Sequence, residues 1–174
     1  MRDPLEAGQE VGAVMRLGAG DVVPDVQAWT MGTDGPVMVY TGEVLSRGRV
    51  VLFAVPGAFM PGCSQVHLPG YVERAHELAR RGVDRVVCLA INDAWVMDGW
   101  SRSQGVGEAI TMVADADGTF TQAMGMVEVT KTGGLGLRSR RYAAIVQDGV
   151  IERLDVESKH GVTVSACAAV LEHL

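Results

Sequence analysis

The chain has 174 residues, 48% of them hydrophobic and 21% charged, which fits one globular domain with its own core and excludes a disordered or fibrous protein. There are 15 basic residues against 21 acidic ones, a formal net charge of −6, and with no basic block to follow a phosphate backbone, nucleic acid is not expected as a partner. The most apolar run, Val50 to Val55, is far short of the roughly 20 residues that span a bilayer, so no membrane association is expected.

Residues 1–16 read as an N-terminal extension, expected to be poorly ordered, ahead of a single domain over residues 17–174. The opening Met1-Arg2-Asp3-Pro4-Leu5-Glu6 carries acidic residues and no long apolar stretch; this is neither a secretory nor a transit pattern, and a cytoplasmic location is expected. Val26–Met31 and Val37–Tyr40 flank Gly32-Thr33-Asp34-Gly35-Pro36, which predicts a peripheral hairpin. Val50–Val55 is apolar on both faces and rich in β-branched residues, as in a strand buried within a sheet. After Pro56-Gly57, apolar Leu68, Tyr71, Val72, Ala75, Leu78 and Ala79 recur at helical spacing and Gly82 follows Arg80-Arg81, predicting a helix from about Cys63 to Arg81 with a kink at Pro69.

Arg85–Ile91 repeats the buried-strand pattern, and Asn92-Asp93 turns the chain into a predicted helix over residues 94–104, completing a βαβα unit. Ile110–Ala114 is a third strand, closed by the turn Asp115-Ala116-Asp117-Gly118 and followed by a short helix around Thr119–Met124. Lys131–Leu137 is too glycine-rich for regular structure and is expected to be an exposed loop. Tyr142–Val146 and Val150–Leu154 flank Gln147-Asp148-Gly149, a hairpin signal. Ser165–Leu174 is a final helix with Ser165 available as N-cap. Strands alternating with helices, then a closing hairpin and helix, make an α/β sandwich with a central mixed sheet flanked by helices, in the order of a thioredoxin-like fold.

Three cysteines, an odd number at spacings that match no zinc motif, point to free thiols in a reducing compartment. Cys63 falls where a buried strand passes through a Pro/Gly loop into the first turn of a helix, where unpaired N–H groups and the helix dipole favour an anion. The thiolate is the nucleophilic form of cysteine, so the position marks Cys63 as a candidate reactive thiol, set against a plain half-buried residue at a helix start. His67, four positions later on the same predicted helix face, is half of a metal site without its partners: no CxxC, paired histidine or carboxylate cluster completes it. No metal or other cofactor is expected, and no glycine-rich phosphate motif stands in the context that nucleotide binding needs.

The run Val50 to Phe59, then Pro61-Gly62-Cys63-Ser64 and His67-Leu68-Pro69-Gly70-Tyr71-Val72, closely resembles the active-site region of the peroxiredoxins, in their type-five subfamily. The likeness continues through Val86-Val87-Cys88-Leu89, Asn92-Asp93-Ala94, Ala114-Asp115 with Gly118, and Arg141-Tyr142-Ala143 before Val146-Gln147-Asp148-Gly149, and covers roughly residues 17–174. The resemblance implies a thiol-dependent peroxidase in which Cys63 attacks a hydroperoxide, hydrogen peroxide or an organic one, and becomes a sulfenic acid. It further implies that Pro56 shields the thiolate, that Arg141 supports it and the peroxide oxygens, and that Met60 and Gly62 line the substrate pocket. Arg138 and Arg140 match the family arginine less well. The His67 signature carries no metal in the family. A homodimer meeting near the active site is implied too, with Trp95 and Trp100 on the adjacent helix, and the reductant is an external thiol: glutathione with glutaredoxin, or thioredoxin.

The pattern breaks at Met60, where the family has threonine or, less often, serine. A thioether cannot donate the hydrogen bond that aligns the peroxide, so a slower peroxidase is expected; Met60 could instead shape a pocket for another substrate or be oxidised itself. The alternative is a redox sensor or binding module on the same scaffold, with weakened peroxidase activity. A disulfide reductase is argued against by the lack of a CxxC pair at Cys63. A sulfenic acid must meet a second thiol to be recycled, and the candidate resolving residues are Cys167, near the C-terminal helix, and Cys88, in an apolar strand. The family position for an internal resolving cysteine corresponds to Val164, so recycling by an external thiol is the expectation.

Overall fold

A computed structural model describes residues 15–174, so most of the expected N-terminal extension, residues 1–14, lies outside the described residues. A seven-stranded mixed sheet has the order β2-β1-β5-β4-β3-β8-β9. Its central strands β3 (Arg49–Ala54), β4 (Arg85–Ala90) and β5 (Thr111–Ala114) are parallel. The hairpin β8 (Tyr142–Gln147) and β9 (Val150–Val156) joins β3 antiparallel, and the hairpin β1 (Gln27–Gly32) and β2 (Gly35–Tyr40) joins β5 antiparallel. Asp148 and Gly149 both have positive φ, 49° and 84°, at the turn between β8 and β9, as the Asp-Gly pair predicts.

Alternation along the strands builds two cores, because successive side chains point to opposite faces. Val51 and Phe53 of β3, with Cys88 of β4, face α2 (Leu68–Glu73), α3 (Ala75–Arg80), α4 (Ala94–Ser103) and α6 (Cys167–Leu171). Val50, Leu52 and Ala54 face α1 (Thr41–Leu45) and α5 (Thr119–Ala123). This is the expected thioredoxin-like sandwich, a mixed sheet with helices on both faces. No helix among the described residues is long and apolar enough to cross a membrane.

Three local expectations need correction. The helix predicted over 63–81 is not one rod: a π-turn over Cys63–His67 leads into α2, and the break falls at Arg74 (φ −105°, ψ 12°) rather than at Pro69. In the π-turn the Leu68 N–H donates to the carbonyl of Cys63, and this wider register precedes Pro69, which then sits in the first turn of α2, where a missing N–H costs little. The glycine-rich segment is not a bare loop: β6 (Val127–Thr130) and β7 (Gly136–Ser139) form a ribbon, joined by a short turn in which Gly133 and Gly134 take φ of 67° and 69°. Ser165 does not cap the last helix. Ala166 holds that position, because the Ser165 hydroxyl donates to Glu157 Oε1 (2.8 Å) instead.

Candidate active site

Helical conformation begins at Pro61, the first helical position that proline suits, which puts Cys63 in the opening turn at the C-terminal end of β3. The loop before it is anchored at Ala58 and bent at Phe59. The Ala58 N–H donates to Asn92 Oδ1 (2.9 Å), and Phe59 takes a left-handed φ of 64°, an uncommon conformation for a non-glycine residue that marks local strain.

Arg141, immediately before β8, reaches across to this loop. Its Nη2 donates to Cys63 Sγ (3.3 Å) and its Nη1 to His67 Nδ1 (2.9 Å). A guanidinium has only donors, so His67 Nδ1 is the acceptor and Nε2 carries the proton, which it donates to the carbonyl of Ser165 (2.9 Å). The Tyr71 hydroxyl donates to the same carbonyl (2.9 Å), and its ring stacks on Phe53 at 4.0 Å between centroids. Gly62 leaves room for the arginine: a Cβ there would stand 3.3 Å from Nη2.

The Ser165 carbonyl is fixed in turn by Glu157, whose carboxylate accepts from the N–H and hydroxyl of both Thr163 and Ser165. Burial works to raise that carboxyl's pKa, but the donors from Thr163 and Ser165 outweigh it and hold the group below the usual range. The Glu157 N–H donates to the Arg141 carbonyl (3.0 Å). One network therefore runs from the end of β9 through His67 to the Cys63 sulfur.

Burial above all pushes the pKa of His67 down to about 4, with Arg141 adding to the effect and the Ser165 carbonyl opposing it. The imidazole stays neutral and the charge next to Cys63 belongs to Arg141. Because the unfolded chain takes up this proton near pH 6.5 and the folded one only near pH 4, stability is expected to fall by about 3 kcal/mol as pH drops through that window, then level off for this group. Urea unfolding from pH 7.5 to 4 should show the slope, and a His67→Gln variant should lose most of it.

An open groove of about 720 Å³ is lined among others by Pro56, Met60, Gly62, Arg138, Arg140 and Arg141. Cys63 itself is fully buried, and its chain neighbour Gly62 and its donor Arg141 are what connect it to the groove. Arg138 is turned into the same region but not onto the sulfur, donating through Nε to the Leu135 carbonyl (2.8 Å) and through Nη1 to that of Ile91 (3.4 Å). Cys88 and Cys167 are free and buried in the same core layer as Cys63. Burial pushes the Cys88 thiol well above the usual cysteine range and the Cys167 thiol up to about 12, so neither is ionised at neutral pH.

The structure thus brings together Cys63, Arg141, Pro56, Met60 and Gly62, and seals Cys88 and Cys167 in the core. Trp100 is buried and donates to Ser64 Oγ (2.9 Å), whereas Trp95 is 65% exposed. Among the described residues no group of three or more His, Cys, Asp or Glu side chains is placed to hold a metal ion. Sequence reasoning assigned no role to Glu157, and it read Asn92 only as a turn residue and Ser165 only as a helix cap. His67 was noticed for its spacing from Cys63, and that shared helix face was the signal for its real partner, the arginine bound to Cys63.

A thioredoxin-like sheet with a helix-start cysteine under an arginine defines a class of thiol proteins. The family model described as Redoxin matches residues 18–171. Peroxiredoxin-2E-2, chloroplastic, of Oryza sativa subsp. japonica is 42% identical over 167 residues, spanning 92% of this chain and 74% of that protein. Reduced Prx3 of Vibrio vulnificus, solved in complex with hydrogen peroxide, is 39% identical with a TM-score of 0.86 over 90% of this chain and 98% of that one. Peroxiredoxin 5 of Alvinella pompejana is 29% identical with a TM-score of 0.79 over 90% and 96% of the two chains. The chain belongs to the redoxin family and is a peroxiredoxin, an enzyme that acts as a thiol-dependent peroxidase.

Proposed function

We propose that this peroxiredoxin is of the type-five kind and reduces hydrogen peroxide and organic hydroperoxides through a sulfenic acid on Cys63. The observation that carries the assignment is the Arg141 Nη2 donor 3.3 Å from Cys63 Sγ, with Arg141 itself lining a groove together with Pro56, Met60 and Gly62. The Cys63 thiolate attacks the terminal peroxide oxygen, the O–O bond breaks, and water or an alcohol leaves with a proton. Arg141 stabilises the thiolate and the charge that develops on the peroxide oxygens, as a pre-placed charge-assisted donor does. Pro56 keeps water from the sulfur. The likeness to a peroxide-bound Prx3 and to a peroxiredoxin 5 supports this reading.

The sulfenic acid is recycled by an external thiol, glutathione with glutaredoxin or thioredoxin, rather than by Cys88 or Cys167. In support, both are buried thiols held protonated, while a disulfide needs an attacking thiolate. A homodimer forms near the active site, a reading supported by exposed Phe59, Val66 and Trp95 around the Cys63 loop and α4. Three free thiols suit a reducing compartment, the cytoplasm.

The test is rapid mixing of the reduced protein with hydrogen peroxide and with an organic hydroperoxide. Cys63 is expected to react far faster than a free thiol and to turn over with one of the named reductants; a rate equal to that of a free thiol refutes the assignment. Stoichiometric oxidation without turnover favours the redox-sensor reading, which Met60 motivates. Met60→Thr is expected to raise the rate constant by about tenfold, the worth of one hydrogen bond to a charged group.

A further inference from the structure

We propose that Met60 is a second oxidisable sulfur of the same site, converted to methionine sulfoxide by the hydroperoxide that the groove admits. The inference rests on the peroxide-site reading above. Met60 is partly buried, packs against the core layer that holds Cys63, and lines the groove together with Pro56, Gly62 and Arg141. Its thioether and the Arg138 Nη1 converge on Gly57, standing 3.0 Å and 3.1 Å from the point where a Cβ would sit there. The Met60 sulfur and the Arg138 guanidinium therefore border one small region of the groove that Arg141 also lines.

The reaction balances without any further reagent. The Met60 thioether attacks the terminal oxygen of the hydroperoxide, the O–O bond breaks, and water or an alcohol leaves with the peroxide proton. The sulfur is oxidised by two electrons and the peroxide is reduced. The arginine that favours charge on the peroxide oxygens for attack by Cys63 favours it equally for attack by a neighbouring sulfur. The product is a polar sulfoxide, a far better hydrogen-bond acceptor than the thioether. Arg138, anchored to the carbonyls of Leu135 and Ile91, and Arg141 are the donors that border it. An oxidised Met60 occupies the donors and the space that the next peroxide needs, so the groove records peroxide exposure by slowing itself.

Met15 and Met38, 85% and 41% exposed, are internal controls, since ordinary methionine oxidation follows exposure. Cys63→Ser protein and wild-type protein without reductant are treated with hydrogen peroxide, and each methionine is followed by peptide mass spectrometry. The expected result is sulfoxide at Met60 at least about tenfold faster than at Met15, with the excess lost in an Arg141→Met background. Wild-type protein pre-oxidised in this way, with Cys63 reduced again by a thiol, should react with fresh peroxide several-fold more slowly, and a Met60→Leu protein should show no such slowing. Oxidation of Met60 no faster than that of Met15 and Met38 overturns the proposal. Rapid Cys63 oxidation in the same wild-type samples then leaves the peroxidase assignment standing, whereas a slow Cys63 removes both.

Discussion

Cys63→Ser is expected to lower the rate constant for peroxide reduction by roughly 10⁶-fold or to the background of the solution reaction, as when the nucleophile of a concerted site is removed. A serine hydroxyl is not ionised near neutral pH, and no other thiol is placed to substitute: the Arg141 donor is on Cys63, while burial raises the pKa values of Cys88 and Cys167. The change is close to isosteric in a fully buried position, so the fold should persist, which thermal unfolding followed by circular dichroism can check. Stopped-flow fluorescence or a coupled reductant assay reads the rate. Activity retained to within about tenfold of wild type moves the nucleophile to another cysteine.

Arg141→Lys is expected to cost roughly 10²–10³-fold in the same rate constant, the scale of losing a pre-placed donor from a developing charge. Charge is retained, so a simple electrostatic view predicts little change. Geometry predicts otherwise. The guanidinium donates at once to Cys63 Sγ and His67 Nδ1 from two nitrogens held in a plane, and a single ammonium cannot reproduce that fork. The lysine variant also leaves the His67 acceptor without its donor in a buried setting, a cost of about 1–3 kcal/mol in stability. Denaturant unfolding of Arg141→Lys beside the rate measurement separates the two effects. A rate constant within about threefold of wild type refutes the fork argument.

The parts of the fold that sequence pattern reveals are those where one physical preference dominates. β3 and β4 carry continuous apolar runs because both faces are covered, and the Asp148-Gly149 turn needs the positive φ that those residues tolerate. Pattern reading fails where two preferences compete over a distance. Pro69 marks a helix irregularity, but a π-turn at Cys63–His67 absorbs it and the break moves to Arg74. Ser165 has the chemistry of a cap, and Glu157, eight positions earlier, claims its hydroxyl. The glycines after Lys131 signal a turn, while the short strands on either side form a two-stranded ribbon.

The same holds for the site. Cys63 and the groove residues Pro56, Met60 and Gly62 lie within one stretch of chain, so a motif carries them. Arg141 is reachable only through family resemblance, as nothing local ties it to Cys63. The role of His67 is legible in part, since its spacing from Cys63 places it on the right helix face, but its partners come from Arg141 and Ser165. Glu157 looks like any surface carboxylate until four donors from Thr163 and Ser165 converge on it.

The contacts that define the thiol's surroundings are long in sequence: 78 positions separate Cys63 from Arg141, and 98 separate His67 from Ser165. Contacts of such separation close late, after local helices and hairpins have formed, because loop-closure entropy opposes them. Until the strand that follows Arg141 and the segment around Ser165 have docked, Cys63 is an ordinary thiol in a partly collapsed chain. Peroxide reactivity should therefore return with the slowest phase of refolding, after the recovery of secondary structure, which makes the enzyme's own chemistry a clock for the completion of its fold.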